Sequence, residues 1–171
     1  MLNTKKILLV GLITLFALSA SAQGMAKFQA LFIYNFAKNI GWPAGDEGKD
    51  LVITVIGDSE VESQLVGLSK TQKVGSRNVV VKSAAAATGL VKSDIIYLGE
   101  SKSNLVSKLV SAQEGNPSLI VTGKSGLCAN GAGISFVAKG GKLNFEISNG
   151  NISKKGLKVS NKLLQLGTAV D

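Results

Sequence analysis

The stretch that decides the fold is LVITVIG at residues 51–57, a short run of apolar and β-branched side chains. A run of this kind, without regular polar alternation, is typical of a strand that is buried on both faces of a sheet. Three similar runs follow along the chain: NVVVK at 78–82, DIIYL at 94–98 and SLIVT at 118–122. Together the four runs predict a sheet of about four strands.

The segments between these runs predict helices. Residues 59–68 have a short helical pattern with Ser59 as a candidate N-cap. The alanine-rich stretch 84–90 and the apolar repeat within 101–112 indicate two more helices. Strands that alternate with helices indicate a parallel sheet with right-handed crossovers.

The pattern changes after the fourth run. Residues 133–138 and 142–148 are joined by Lys139-Gly140-Gly141, and Gly-Gly between two such runs is typical of a β-hairpin. Two short helices are expected between residues 151 and 166. We therefore predict a three-layer α/β/α domain, with a mostly parallel sheet of about four strands and a C-terminal antiparallel hairpin.

The first 22 residues have the pattern of a cleavable export signal. Lys5 and Lys6 precede an apolar run at 7–18, and Ala20-Ser21-Ala22 offers a cleavage site. The apolar run is too short for a bilayer, which needs about 20 such residues. We expect residues 1–22 to be removed and residues 23–171 to form one domain.

A helix is predicted from Gly24 to Ile40, ended by Gly41 and Pro43. Aromatic side chains cluster on and just after this helix, and they occupy more than one of its faces. Such a cluster serves either the core or a partner surface, and the pattern leaves both open. Its members are Phe28, Phe32, Tyr34, Phe36 and Trp42.

The composition argues against catalysis by the common side-chain sets. The chain has no histidine and a single cysteine, Cys128. This excludes Ser-His-Asp and Cys-His catalysis, most transition-metal sites and any disulfide within the chain. We expect no enzyme activity, no metal and no cofactor, and we expect Cys128 to be a buried small side chain.

A small-molecule pocket is one function that the residues suggest. In parallel sheets ligands bind outside the carboxyl ends of the strands, where Asp58 and Glu100 follow the first and third runs. Arg77, the chain's single arginine, could hold a carboxylate or phosphate with two hydrogen bonds, or it could form an ion pair. These three residues are the small-ligand candidates.

The chain is basic, with a formal net charge of +8. The basic residues are scattered lysines without interleaved aromatics, so we expect no nucleic-acid partner. Solubility accounts for the charge, and weak attraction to an acidic partner or to anionic lipid headgroups stays open.

Two segments carry a family resemblance. ALFIYNFAKNIGWP at 30–43, and GAGISFVAKGGKLNFEIS with GLKVSNKLLQLG within 131–167, resemble the YfiR family of periplasmic regulators. The resemblance runs from Ala26 to Leu166 and implies a periplasmic protein that is not an enzyme. Such a protein binds and inhibits the periplasmic part of an inner-membrane signalling protein, either a diguanylate cyclase that makes cyclic di-GMP or a sensor kinase.

The resemblance also implies a homodimer and an outer-membrane lipoprotein that sequesters the repressor. Arg77 falls where the family has its Gly-Arg pair before the second strand. One departure is that the family's named repressor carries cysteine pairs, so disulfide control within this chain is not implied. We expect the partner surface at Phe32, Tyr34, Asn35, Trp42 and Pro43.

Overall fold

The computed structural model describes residues 24–45 and 48–170. The export signal predicted for residues 1–22 lies outside the described residues. Helix α1 covers 24–39, and the two-residue strand β1, Ile40–Gly41, follows it directly. The predicted first helix is confirmed except for its last residue, because Ile40 is already in the strand.

A seven-stranded sheet forms the middle layer. Its strands are β2 Leu51–Ile56, β3 Val79–Ala84, β4 Ile95–Leu98, β5 Leu119–Thr122, β6 Ile134–Lys139, β7 Lys142–Ile147 and β9 Thr168–Ala169. Their order across the sheet is β3-β2-β4-β5-β6-β7-β9. All neighbours from β3 to β6 are parallel, β6 and β7 are antiparallel, and β7 and β9 are parallel. The predicted α/β class is confirmed, and β6 adds a fifth parallel strand.

The predicted hairpin turn has the expected chemistry. Lys139 pairs with Lys142, which leaves Gly140 and Gly141 as a two-residue loop. Their φ angles are +58° and +73°, which glycine adopts without the steric cost that other residues meet. The turn matches the twist of the two strands and fixes their register.

Helices cover both faces of the sheet. The helix α2 is Ser59–Ser69, a 3₁₀ turn at Glu100–Leu105 leads into α3 at Val106–Ala112, and a second 3₁₀ turn is Leu127–Asn130. The C-terminal part contains α4 Asn149–Lys154, strand β8 Lys158–Val159 and α5 Asn161–Leu166.

Two apolar cores confirm the three-layer arrangement. On one face Ile33 and Phe36 of α1 and Leu65 of α2 belong to the same buried cluster as sheet residues such as Ile53. On the other face α3 packs on a smaller cluster whose buried members include Ile56, Ile96, Leu98, Val106, Leu109 and Ile120. The apolar strands are buried on both sides, as their sequences predict.

An aromatic cluster fixes α1 across the hairpin. The ring of Phe36 lies 4.9 Å from that of Phe145 and 5.7 Å from that of Phe136, centroid to centroid. Phe32, one turn earlier, lies 5.7 Å from Phe145. Edge-to-face and tilted contacts of this kind add to the burial of apolar area, so most of the predicted aromatic cluster belongs to the core.

The end of α1 is attached to the C-terminal part of the chain. Strand β1 pairs antiparallel with β8, with Ile40 opposite Val159. The Ser160 N–H donates to the Asn39 carbonyl at 3.0 Å, and the Ser160 hydroxyl donates to Asn39 Oδ1 at 3.1 Å. No pattern in the sequence predicted this second, small sheet.

The helix predicted for residues 84–90 is wrong. Ala84 ends β3, and residues 85–89 form a series of bends that includes Gly89 at φ +71°. The chain must cross over β2 and return to the start of β4 within ten residues. A helix rises only about 1.5 Å per residue, against about 3.3 Å for extended chain. The connection therefore takes a more extended path, and it buries Ala87 against the sheet.

Candidate functional site

Asp58 stands at the carboxyl edge of the sheet, directly after β2 and Gly57. Its Oδ1 accepts the Val61 N–H at 3.0 Å and so caps α2. Its Oδ2 accepts the phenolic O–H of Tyr97 at 3.2 Å. Burial, followed by the neighbouring Asp58 carboxylate, raises the pKa of Tyr97, so this phenol is a donor at neutral pH.

A cavity of about 410 Å³ opens beside Asp58 between the ends of β2 and β3. Its polar lining includes Asp58, Ser59, Glu62, Ser83 and Lys102. The Ser83 hydroxyl donates to Glu62 Oε2 at 2.9 Å. One ammonium group and two carboxylates around a cavity of this size suit a small molecule that carries both charges.

The crevice between β2 and β4 is filled by the protein itself. Gly57 has φ +74° and lies against the side chain of Lys102, and a Cβ at Gly99 would come within 2.7 Å of the Gly57 carbonyl. The Ser101 hydroxyl donates to that same carbonyl at 3.0 Å. Glu100 is exposed and is absent from the cavity lining, so the structure brings Asp58 but not Glu100 to the cavity.

Arg77 lies at the opposite, amino edge of the sheet. Its Nε donates to the Lys49 carbonyl at 2.9 Å, and its Nη2 donates to Asp94 Oδ2 at 3.0 Å. Both side chains are about nine-tenths buried. The same Asp94 oxygen accepts the Val52 N–H at 2.8 Å. The expectation that Arg77 shares a pocket with Asp58 and Glu100 is therefore wrong, because Arg77 precedes its strand whereas they follow theirs.

The five residues expected at the partner surface divide into two groups. Asn35 is exposed, and Phe32, Trp42 and Pro43 are half-buried. The Trp42 Nε1–H donates to the Ala37 carbonyl at 3.0 Å, which holds the ring against the end of α1. These four reach the molecular surface.

Tyr34, the fifth, is in the core. Its side chain is 2 % exposed, and its hydroxyl has no hydrogen-bond partner among the described residues. Burial raises the pKa of Tyr34 to about 12. Its expected place on the partner surface is corrected, since the helix turns this side chain toward the sheet.

Cys128 is buried, as the sequence analysis expected. Its sulfur lies 3.4 Å from the Ser135 hydroxyl, which in turn accepts from the Thr122 hydroxyl at 2.9 Å. Burial raises the pKa of the Cys128 thiol, which disfavours the reactive thiolate. Asn151, which no sequence pattern indicated, stabilises the 3₁₀ turn at Leu127–Asn130 by donating to the Cys128 carbonyl at 2.8 Å.

Within residues 24–45 and 48–170, no group of three or more His, Cys, Asp or Glu side chains is placed to hold a metal ion. No helix in the same ranges has the length and apolarity that a membrane span needs.

A mostly parallel sheet with helices on both faces defines the class as a small α/β domain. The family follows from comparison with known sequences. The family model DUF4154, described as YfiR/HmsC-like, matches residues 26–168, and the chain belongs to this family. The family is periplasmic and regulatory rather than catalytic, and it suggests a role in diguanylate cyclase signalling.

The fold has a relative among solved structures. A crystal structure titled as a conserved domain protein from Vibrio cholerae O1 biovar eltor str. N16961 superposes with a TM-score of 0.60 at 14 % identity. The match covers 85 % of this chain and 60 % of that chain, and it supports the fold alone. A search of curated proteins finds no match.

Proposed function

We propose that the protein is a periplasmic regulator that binds and inhibits the periplasmic part of an inner-membrane signalling protein, a diguanylate cyclase or a sensor kinase. The family match over residues 26–168 carries the proposal. In this proposal the export signal is cleaved after Ala22, which leaves one domain over residues 23–171. The mass of the protein recovered from the periplasm tests that boundary.

The proposed partner surface is the exposed side of the α1–β1 junction, formed by Phe32, Asn35, Trp42 and Pro43. Aromatic side chains that are partly exposed and held in place are favoured contact residues, since little conformational freedom is lost when they bind. Trp42 is held by its hydrogen bond to Ala37. The β1–β8 pairing also fixes the backbone at the end of this surface.

Binding to a purified periplasmic domain tests this surface. Trp42→Ala and Asn35→Arg are expected to weaken binding at least tenfold, which is about 1.4 kcal/mol. Val91→Ser, which changes an exposed apolar residue outside this surface, is the matched control and keeps full affinity. Full binding by folded Trp42→Ala and Asn35→Arg variants would remove this surface from the proposal.

A homodimer and an outer-membrane lipoprotein that sequesters the regulator belong to the same proposal. Family membership supports both. Sedimentation equilibrium of the processed protein tests the dimer, and co-isolation with outer-membrane fractions tests the lipoprotein. A monomer at all concentrations would remove the dimer from the account.

A second candidate function is a small-molecule binding module, which the cavity beside Asp58 favours. A ligand that binds the folded state raises the melting temperature by linkage. Screening amino acids and nucleotides by thermal shift should find a molecule that stabilises the wild type but not Lys102→Gln. Lys108→Gln, an exposed lysine outside the cavity lining, is the control. Absence of any shift across the screen counts against this function.

A further inference from the structure

Two stretches that are far apart in the sequence share one unusual composition. Residues 24–45 and 147–170 together hold six lysines and no aspartate or glutamate. The fold joins them, because Gly41 pairs with Lys158 in the β1–β8 sheet and the Ser160 N–H donates to the Asn39 carbonyl. The surface formed by α1, β8 and α5, here called the acid-free face, therefore concentrates positive charge.

Four lysines of the acid-free face are exposed: Lys27, Lys38, Lys158 and Lys162. Within residues 24–45 and 48–170, none of the four forms an ion pair. Lys38 and Lys158 line one shallow concavity of about 370 Å³. Four exposed ammonium groups that form no ion pair with the described residues make the face attractive to anions.

Exposed apolar side chains stand beside these lysines. Phe28 is 56 % exposed and Leu166 is 65 % exposed. Phe32, one turn after Phe28, packs on the ring of Phe145, and Gly167, next to Leu166, lies against the same ring. Phe28 and Leu166 therefore belong to two segments that pack on the same ring. Lys162 lies one turn before Leu166 on α5 and shares its side of the helix.

Lysines that flank protruding apolar residues suit a lipid surface better than a protein surface. Protein interfaces are depleted in lysine and enriched in arginine, and the single arginine here is buried against Asp94. At a bilayer, lysine stems lie along the headgroup boundary while apolar side chains enter it. We propose that the acid-free face docks on an anionic phospholipid bilayer. This inference goes beyond the proposed function and does not depend on it.

Sedimentation with lipid vesicles tests the inference without any partner protein. The processed protein is expected to bind vesicles that contain about one-third phosphatidylglycerol in phosphatidylcholine, and not phosphatidylcholine alone. About 0.5 M salt should release it, because screening removes attraction between exposed charges. A failure here would leave the proposed regulator function standing, since the vesicles contain no signalling protein.

Matched variants distinguish vesicle binding by the acid-free face from nonspecific attraction to the protein's positive charge. The double variants Phe28→Ser/Leu166→Ser and Lys158→Gln/Lys162→Gln should each lower vesicle partitioning about tenfold. The controls Val91→Ser and Lys70→Gln/Lys73→Gln change exposed residues elsewhere and should keep it. Thermal melting verifies that each variant is folded. Equal loss in the controls, or no binding to phosphatidylglycerol vesicles at low salt, would overturn the inference. Binding to an acidic protein alone would likewise overturn it.

Discussion

At the scale of single residues, the buried Arg77–Asp94 pair has the clearest structural consequence. Arg77 also donates to the Asp50 carbonyl at 2.9 Å, so one side chain joins the start of β2 to the segments before β3 and β4. A buried ion pair gives little net stability over an apolar replacement. Removal of one partner is costly, however, because it leaves the other charge buried and unpaired. The pair therefore holds these three segments together at the amino edge of the sheet.

Arg77→Met is expected to lower the free energy of unfolding by about 3–5 kcal/mol, because Asp94 would stay buried without its cation. Denaturant unfolding measures this change. The double variant Arg77→Met/Asp94→Leu should recover part of the loss, since neither charge remains. Lys73→Met, at an exposed position, is the control and should stay within about 0.5 kcal/mol of wild type. A loss no larger than that of the control would contradict the account of this pair.

Tyr34 gives a second prediction, with a defined pH dependence. Its hydroxyl is buried without a partner among the described residues, so Tyr34→Phe should keep or raise the stability at pH 7. The folded-state pKa is about 12, above the ordinary value of 10.0. Ionisation of Tyr34 therefore leaves the wild-type free energy of unfolding unchanged below pH about 10. Between pH about 10 and 12 this free energy declines, because the phenol ionises first in the unfolded state.

Urea unfolding of wild type and Tyr34→Phe at several pH values from about 7 to 11 measures both effects. The variant should show a shallower alkaline decline. Tyr97 remains in both proteins, so the difference isolates Tyr34. If Tyr34→Phe were destabilising by more than about 1 kcal/mol at pH 7, the hydroxyl would have a favourable partner and the assignment of an unpaired group would be wrong.

At the scale of secondary-structure elements, Ser160 connects the last helix to the first. Its hydroxyl accepts the Leu163 N–H at 3.2 Å as the cap of α5 and donates to Asn39 Oδ1. Ser160→Ala should cost about 1 kcal/mol from the cap. It should also speed amide hydrogen exchange at the end of α1. The faster exchange would reflect loss of the Ser160–Asn39 contact, in addition to loss of the cap.

Ser148→Ala is the matched comparison for Ser160→Ala. Ser148 caps α4 by accepting the Asn151 N–H at 3.1 Å, so its loss should cost a similar amount. Exchange at residues 36–41 should stay unchanged in that variant. If both variants loosened the end of α1 equally, the Ser160–Asn39 contact would not be what holds it.

Local patterns determine how much of the fold the sequence reveals. LVITVIG forms a strand because its apolar run satisfies both faces of a sheet, and Gly140-Gly141 forms a tight turn because its φ angles suit glycine. Residues 84–90 have helix-favouring alanines, yet the short crossover requires a more extended path. The pairing of β1 with β8 joins two-residue strands far apart in the chain, and no local pattern encodes it.

The same difference between local patterns and long-range contacts applies to the candidate site. Asp58 could be placed at the carboxyl edge because it directly follows a clear strand, and the structure puts it on the cavity. The partner of Arg77 could not be identified, because Asp94 becomes its neighbour only when three strands align. Tyr34 and Asn35 are adjacent in the sequence of α1, yet Tyr34 is buried and Asn35 is exposed. Their different burial depends on how the helix rotates against the hairpin, which the aromatic packing decides.

At the scale of the whole molecule, segments near the two ends of the described chain meet where β1 pairs with β8. The α1–β1 segment carries the proposed partner surface, and its pairing with β8 adds the lysines of the acid-free face. The cavity beside Asp58 lies at the carboxyl edge of β2, remote along the sheet from the Arg77 pair. The proposed partner surface and the acid-free face both include α1, whereas residues of other elements line the cavity beside Asp58.

The central claim is that the protein binds an inner-membrane signalling protein. Crosslinking in the cells that make the protein, followed by identification of the solubilised membrane proteins that it captures, tests this most directly. The account predicts recovery of a cyclase or sensor kinase with a periplasmic domain, and loss of that product in the Trp42→Ala variant. Recovery of the protein's own crosslinked copies alone would contradict the regulator function and leave the small-molecule binding module as the better account.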